Sequence, residues 1–290
     1  MKITEKMKDR VTLSFEVFPP KAEEGMPRLM GVLDNLYSWS PDFISCTYGA
    51  GGTDKGRNFD IIRAIAAAGR AIPVSHYTTI HHTREDIRRD IDQYLSIGVN
   101  HFLALRGDFA PGENETHGDF GHATELVEFL KKAYGDRICV SVGSSCEGHI
   151  LCRSLESDIA FLRRKQDLGA DYIVTQLTFD MDQFRRWLDA IRAAGVTMPI
   201  VVGVMPVLSR DACIRHCLSM NGCAIPHKLA RHISTYYNDP EGFTEAGKEY
   251  TVEQIYEYVN CGVNGIHLYT LNKSEAMNDI LARTGLFSKE

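Results

Sequence analysis

Ser14-Phe15-Glu16-Val17-Phe18-Pro19-Pro20-Lys21 is a run of strand-forming residues that carries one carboxylate and then breaks at two prolines. Neither proline has an N–H, so the ladder cannot continue through them. Glu16 therefore stands close to the point where a strand leaves its sheet. Further along the chain the same grammar recurs. Ala68-Gly69-Arg70, Ile97-Gly98-Val99, Leu168-Gly169-Ala170, Ala194-Gly195-Val196 and Cys261-Gly262-Val263 each close a helix-period segment. Each is followed within a few residues by a β-branched or aromatic run. Glycine at that place supplies the left-handed residue that ends a helix. Helix, glycine, short loop and strand in alternation is what a parallel sheet with crossover helices needs.

Eight strands are expected, over 11–18, 42–48, 72–78, 101–106, 138–143, 172–177, 200–205 and 265–270. Apolar stripes mark helices between them: Ile61/Ile62/Ile65, Ile87/Ile91/Tyr94/Leu95, Leu155/Ile159/Leu162, Phe184/Trp187/Leu188/Ile191 and Val252/Ile255/Tyr256/Val259. Thr83 and Asp86 have the spacing of a capping box. The expected fold class is α/β, a single-domain (β/α)8 TIM barrel over 1–290. An irregular helical insertion is expected around 208–245, with Pro226 opening the second of its two short helices. An open doubly wound sheet is the alternative. Neither nucleotide fingerprint is present. Gly49-Ala50-Gly51-Gly52-Thr53-Asp54 fails G-x-G-x-x-G at its last position, and Arg57 stands where a P-loop needs lysine.

Composition narrows the partners. Lys and Arg number 32 against 38 Asp and Glu, a formal charge of −6, which argues against nucleic acid. The first residues are charged and no span of about 20 apolar residues follows, so a cytoplasmic protein without a membrane segment is expected. The eight cysteines read as thiols. Cys46, Cys139 and Cys261 lie in or beside apolar runs. Cys213, His216, Cys217 and Cys223 cluster, but only one pair has ligand spacing, so no metal is expected.

A barrel places chemistry at the C-terminal ends of its strands. Those ends carry Glu16, Thr47-Tyr48-Gly49, His76 with Thr78, Arg106-Gly107-Asp108, Ser144 to His149, Thr175-Gln176 and Tyr269 to Lys273. Acid, base, amide and cationic groups converging on one mouth describe an enzyme acting on a polar small molecule. Spacing alone does not name the reaction.

Resemblance supplies a name. The opening octapeptide is similar to the first motif of the methylenetetrahydrofolate reductases. Thr47-Tyr48-Gly49-Ala50, Ala104-Leu105-Arg106-Gly107-Asp108, Glu147-Gly148-His149, Thr175-Gln176 and Leu268-Tyr269-Thr270-Leu271-Asn272 follow in that family's order. The resemblance implies a flavin-dependent barrel that reduces 5,10-methylenetetrahydrofolate to 5-methyltetrahydrofolate by a ping-pong route. FAD is the implied cofactor and NADH or NADPH the electron donor, in tetrahydrofolate interconversion and methionine biosynthesis. Glu16 resembles the general acid that protonates a folate nitrogen. That role asks for a carboxyl with a raised pKa in a desolvated setting. Asp108 resembles the second catalytic residue, beside the flavin and on the pterin. Gln176 and Lys273 match substrate-binding positions. Thr47, His76, Arg106, Gly107, Asp108, Ala123, His149, Asp158, Arg164 and Lys165 match cofactor-binding ones. Asp158, Phe161 and Lys165 share one helix face.

The chain departs from the family pattern at Ser145-Cys146, where an aromatic is usual, and at Phe161, Thr178 and Lys273. Lysine at 273 keeps the charge of the usual arginine but not its fork. Two other readings stay open on the sequence. One is a non-redox folate-binding barrel, a methyltransferase or demethylase. The other is a non-catalytic subunit of a one-carbon complex. Small-molecule ligands are the expected partners, with a homo-oligomer or a partner subunit of the same pathway.

Overall fold

The computed structural model describes residues 2–48, 55–109, 112, 115–116 and 118–289, with backbone alone at 55, 56 and 219–221. The glycine-rich stretch 49–54, including the end of the Thr47-Tyr48-Gly49-Ala50 motif, lies outside the described residues.

Eight strands form: β1 (Thr12–Val17), β2 (Phe43–Cys46), β3 (Ile72–Thr78), β4 (His101–Leu105), β5 (Cys139–Ser144), β6 (Tyr172–Thr175), β7 (Ile200–Val204) and β8 (Gly265–Tyr269). Each pairs in parallel with the next, and β8 returns to β1 to close the barrel. Closure excludes the open doubly wound sheet. The strands lie where the sequence put them, but most are shorter. Phe18, Thr47, Arg106, Gln176, Met205 and Thr270 all fall beyond the last ladder residue. Thr47, Gln176 and Thr270 each donate a last N–H to the neighbouring strand, at Val17 O, Ser144 O and Glu16 O, before the chain leaves the ladder. β5 differs in starting at Cys139 and running through Ser144.

Period-two alternation divides each strand between two environments. On β1, Leu13, Phe15 and Val17 face outward into the main apolar cluster between barrel and helices. Thr12, Ser14 and Glu16 alternate with them and face the barrel interior. The outer layer holds α2 (Met26–Tyr37), α3 (Lys55–Ala68), α4 (Arg84–Ser96), α5 (Ala123–Tyr134), α6 (Leu155–Asp167), α7 (Met181–Ala193), α10 (Pro240–Asn260) and α11 (Ser274–Thr284). Their stripes are buried largely as the periodicity indicates, for example Ile61, Ile62 and Ile65 on α3 and Phe184, Trp187 and Ile191 on α7. One position differs. Tyr256 of α10 is 40% exposed, and Tyr258 takes the buried place, donating to the Thr178 carbonyl at 2.8 Å. The Thr83–Asp86 capping box forms at the start of α4. Gly69, Gly98, Gly169, Gly195 and Gly262 all adopt positive φ, as helix-ending glycines should.

The bottom of the barrel is plugged by α1 (Ile3–Lys6), whose Ile3 joins Met7, Phe43, Val74, Leu103, Cys139 and Tyr172 in a second apolar layer. Between β7 and α10 the chain adds α8 (Arg210–Arg215), a π-helical turn (His216–Asn221) and α9 (His227–Thr235), with Pro226 as the residue before α9. These pack a separate small core with Cys213, Cys217, Cys223, Leu229, Phe243 and Tyr250 over the ends of β6 and β7. Among the described residues, no group of three or more His, Cys, Asp or Glu is placed to hold a metal ion. No described helix is long and apolar enough to cross a membrane.

Candidate active site

A cavity of about 180 Å³ opens at the C-terminal end of the barrel, lined by Glu16, Phe18, Gln176, Leu177, Met205, His216, Tyr269, Thr270 and Leu271. Four elements of the fold converge there: the ends of β1, β6, β7 and β8, with His216 added from the insertion. Room at the centre depends on Gly203 of β7. A Cβ there would collide with the Tyr269 hydroxyl and the Thr175 carbonyl, so glycine allows Tyr269 to donate to Thr175 O at 2.8 Å.

Glu16 is held by its backbone and its carboxylate separately. Its carbonyl accepts from Thr270 Oγ1 at 2.7 Å and from the Thr270 N–H at 3.3 Å. Asn272 extends the clamp, exchanging bonds with the Phe18 N–H and carbonyl at 3.2 and 2.9 Å. Leu271 and Asn272 between them carry φ of 49° and 54°. Two successive non-glycine residues in the left-handed region store strain, which tends to collect at functional loops. The strained β8 loop thus fixes where strand one ends, and with it the place of the acid.

The carboxylate itself lies 3.4 Å from His76 Nε2 and 3.7 Å from His267 Nε2 and is one-fifth exposed. His267 is buried, stacked on Phe43, with Nδ1 2.8 Å from Ser14 Oγ and Nε2 3.3 Å from Ser45 Oγ. A polar layer therefore supports Glu16 from below: Ser14, Ser45 and His267 on β1, β2 and β8. Burial pushes the Glu16 carboxyl up, but hydrogen bonding from His267 and the nearby charges of His76 and His267 outweigh it, and the balance lies below the ordinary carboxylate value. This corrects the expectation of a raised pKa. The sequence showed an acid in an apolar strand, and only barrel closure sets His76 and His267 beside it. His76 shows the converse: burial holds its imidazole below the ordinary value against the pull of Glu16.

The other expected residues divide into groups. Gln176 joins Glu16 on the cavity, its N–H donating to Ser144 O at 2.8 Å and its Oε1 accepting from Leu177 N at 3.0 Å. Asp108 and Lys273 are exposed and do not line the cavity. Arg106 bonds the Gly107 carbonyl at 3.0 Å and lies over the Phe109 ring. Gly107 has φ of 91°, and a Cβ there would sit 2.8 Å from Ile80 Cγ2 and 3.1 Å from Thr78 Cβ. Thr47 continues β2, its N–H on Val17 O and its carbonyl held by Asn58.

Across the mouth, His149, Asp158 and Lys165 meet. The His149 N–H donates to Asp158 Oδ2 at 3.0 Å, and Cys152 Sγ lies 3.5 Å from Asp158 Oδ1. The Lys165 ammonium reaches Gly143 O at 2.9 Å, with its pKa lowered by burial against the pull of Asp158. Arg164 is exposed, near enough to Glu128 of α5 to help hold that carboxyl low. Phe161 is 47% exposed, and Ala123 opens α5. The signal that could have revealed Ser14 and His267 was their inward alternation with Glu16 on β1 and with Tyr269 on β8. His216 carried no such signal.

Comparison with known proteins gives the arrangement a family. The family model described as methylenetetrahydrofolate reductase matches residues 2–285. The chain belongs to the methylenetetrahydrofolate reductase family. It is 33% identical to methylenetetrahydrofolate reductase 1 of Schizosaccharomyces pombe over 297 residues, covering all of this chain and 49% of that protein. It is 31% identical to 5,10-methylenetetrahydrofolate reductase of Escherichia coli over 266 residues, covering 92% and 88%. The chain thus spans about half the length of the yeast reductase and most of the bacterial one. A solved protein from Clostridium thermocellum, described as binding two copies of 5-methyl-5,6,7,8-tetrahydrofolic acid, shares the fold. Its TM-score is 0.69 at 13% identity, covering 98% of each chain.

The residues of β3 and of the loop after β4 leave polar groups and space that a flavin would fit. Among the described residues, Thr78 Oγ1 is buried without a hydrogen-bond partner, and at the adjacent inward position of β3 His76 Nε2 makes no hydrogen bond and has only the Glu16 carboxylate at 3.4 Å. Buried polar atoms of that kind call for a ligand or water. Beside them Gly107 keeps the loop after β4 close to β3 without a side chain between.

Proposed function

We propose that the protein is a cytoplasmic enzyme that reduces 5,10-methylenetetrahydrofolate to 5-methyltetrahydrofolate, with FAD as cofactor and NADH or NADPH as electron donor. The observation that carries the proposal is Glu16: a carboxylate fixed at the floor of the barrel-mouth cavity, next to Gln176, in a chain of this family. Thr47, His76, Thr78, Arg106 and Gly107 would hold the flavin ring and its nearby chain. Ala123, His149, Asp158, Arg164 and Lys165 would hold its ribose and diphosphate end, where the lysine ammonium meets phosphate charge. Asp108 and Lys273, exposed and outside the cavity lining, would meet the pterin and the glutamate carboxylate of the bound substrate. The chemistry supplied by a bound FAD is hydride carriage from NAD(P)H to the one-carbon unit, in two half-reactions that share one cavity.

The work of the chain's own residues is proton placement. Opening the imidazolidine ring of the folate needs a proton on its nitrogen, giving an iminium that accepts hydride. Glu16 is the acid that delivers it, and Gln176 both donates to and accepts from the pterin edge. Burial already pushes the Glu16 carboxyl up more than any other single influence. A flat substrate stacked in the cavity removes the one-fifth exposure that remains and strengthens that push. His267, backed by Ser14, then stabilises the carboxylate once the proton has left.

Rapid mixing of the Glu16→Gln holoenzyme separates the two halves. Reduction of the flavin by NADH is expected within about threefold of wild type. Its reoxidation by methylenetetrahydrofolate is expected to slow by about 100-fold or more, the usual weight of a general acid. Equal loss in both halves would make Glu16 structural.

A further inference from the structure

Glu147 takes no part in the proton transfer, yet both of its oxygens are occupied. It is half-buried in the loop after β5, just before Gly148-His149. Its oxygens go to two different segments. Oε1 accepts from Thr178 Oγ1 at 2.7 Å, in the loop after β6. Oε2 accepts from the Ala224 N–H at 2.7 Å, in the insertion. Both donors are neutral, and a bond from a neutral donor to a carboxylate is shorter and stronger than one between two neutral groups. The Glu147–Thr178 bond is also particular to this chain, since Thr178 is one of its departures from the family pattern.

The partners of Glu147 are themselves fixed. Thr178 is buried, and its carbonyl accepts from Gln254 Nε2 and from the Tyr258 hydroxyl of α10, each at 2.8 Å. Ala224 follows Cys223, whose N–H bonds the Cys217 carbonyl at 3.0 Å and whose side chain is buried in the insertion's own core. A second contact runs beside the first. Gly222 ends the π-helical turn at φ 63°, and a Cβ there would meet Ile150 Cδ1 at 3.3 Å. The loop after β5 thus holds the insertion at two points, a hydrogen bond at Ala224 and a packed isoleucine at Gly222. The same loop carries His149, whose N–H bonds Asp158 of α6. A ligand that orders His149 and Asp158 therefore takes freedom from Glu147 and Ile150, and through them from the insertion.

We propose that Glu147 is a positioning residue that ties the insertion to the cofactor loop, so that FAD held at His149, Asp158 and Lys165 stiffens the insertion. The inference rests on the flavin reading of the mouth. Glu147 acts through Thr178 and Ala224 and touches neither cofactor nor substrate.

Amide hydrogen exchange of the full chain, read by mass spectrometry with and without FAD, tests this on two peptides, 155–167 of α6 and 215–226 of the insertion. In wild type FAD is expected to slow exchange in both, by about tenfold in the insertion. In Glu147→Ala the α6 peptide should still respond to FAD and the insertion should not. Glu147→Gln, whose amide can accept from the Ala224 N–H and donate to Thr178 Oγ1, is expected to restore most of the response. Thr178→Val, which removes one hydroxyl, is expected to lose part of it, and it decides the matter should Glu147→Ala not fold. An insertion indifferent to FAD in wild type while α6 responds, or an undiminished insertion response in Glu147→Ala or Thr178→Val, overturns the inference and leaves the flavin reading standing. A wild-type protein that takes up no FAD, with neither peptide slowed, overturns the flavin reading and this inference together.

Discussion

Glu16 shows how little a residue's type says about its state. One carboxylate is pushed up by burial and pulled down by two histidines, and the balance falls on the low side. The sign follows for catalysis. An acid must be protonated to act, so the rate of the folate half-reaction should fall as pH rises through the Glu16 pKa. His267→Leu removes the hydrogen bond that holds this pKa down. The falling limb of the pH profile should then move to higher pH, with Ser14→Ala moving it the same way by less. A limb that stays in place in His267→Leu would detach the histidine from the acid. Glu16 itself was legible in the sequence because two prolines mark the strand end. Its companions were not. Ser14 and His267 lie 253 residues apart and meet only because β8 closes on β1.

Elements were more legible than their ends. Glycine after five of the helices and a β-branched or aromatic run after each of those glycines gave the alternation of the barrel, since both follow from local backbone and packing preferences. Strand ends were overextended because residues such as Thr47 and Gln176 suit a strand and still donate an N–H to the neighbouring strand, although the ladder stops one residue earlier. The plug α1 was missed, since four residues carry no periodicity. Its seat makes a pH prediction. The Ile3 N–H donates to His101 Nε2 at 3.3 Å, and His101 Nδ1 faces Asn100 Oδ1 at 2.8 Å. Burial lowers the His101 imidazole to about 4. Between that value and the ordinary value of about 6.5 the unfolded chain binds a proton that the folded one refuses. The stabilisation is therefore complete above about 6.5 and is lost as pH falls toward 4, on the order of 3 kcal/mol. Urea midpoints measured from pH 7 to 4.5 should fall more steeply in wild type than in His101→Gln; parallel slopes would contradict this.

At the scale of the molecule, eight parallel strands gather the polar ends of distant segments at one mouth, where the proposed folate reaction would take place. The site needs the whole barrel: Glu16 from β1, Gln176 from β6, the clamp from β8 and His216 from the insertion. The central claim is that this mouth binds a flavin and passes hydride to a folate. Its most direct test is the visible spectrum of the purified protein under anaerobic titration. Flavin absorbance, present on purification or gained on adding FAD, is expected to bleach with NADH or NADPH and to return on adding methylenetetrahydrofolate. A protein that takes up no FAD, or whose bleached flavin ignores the folate, would contradict it.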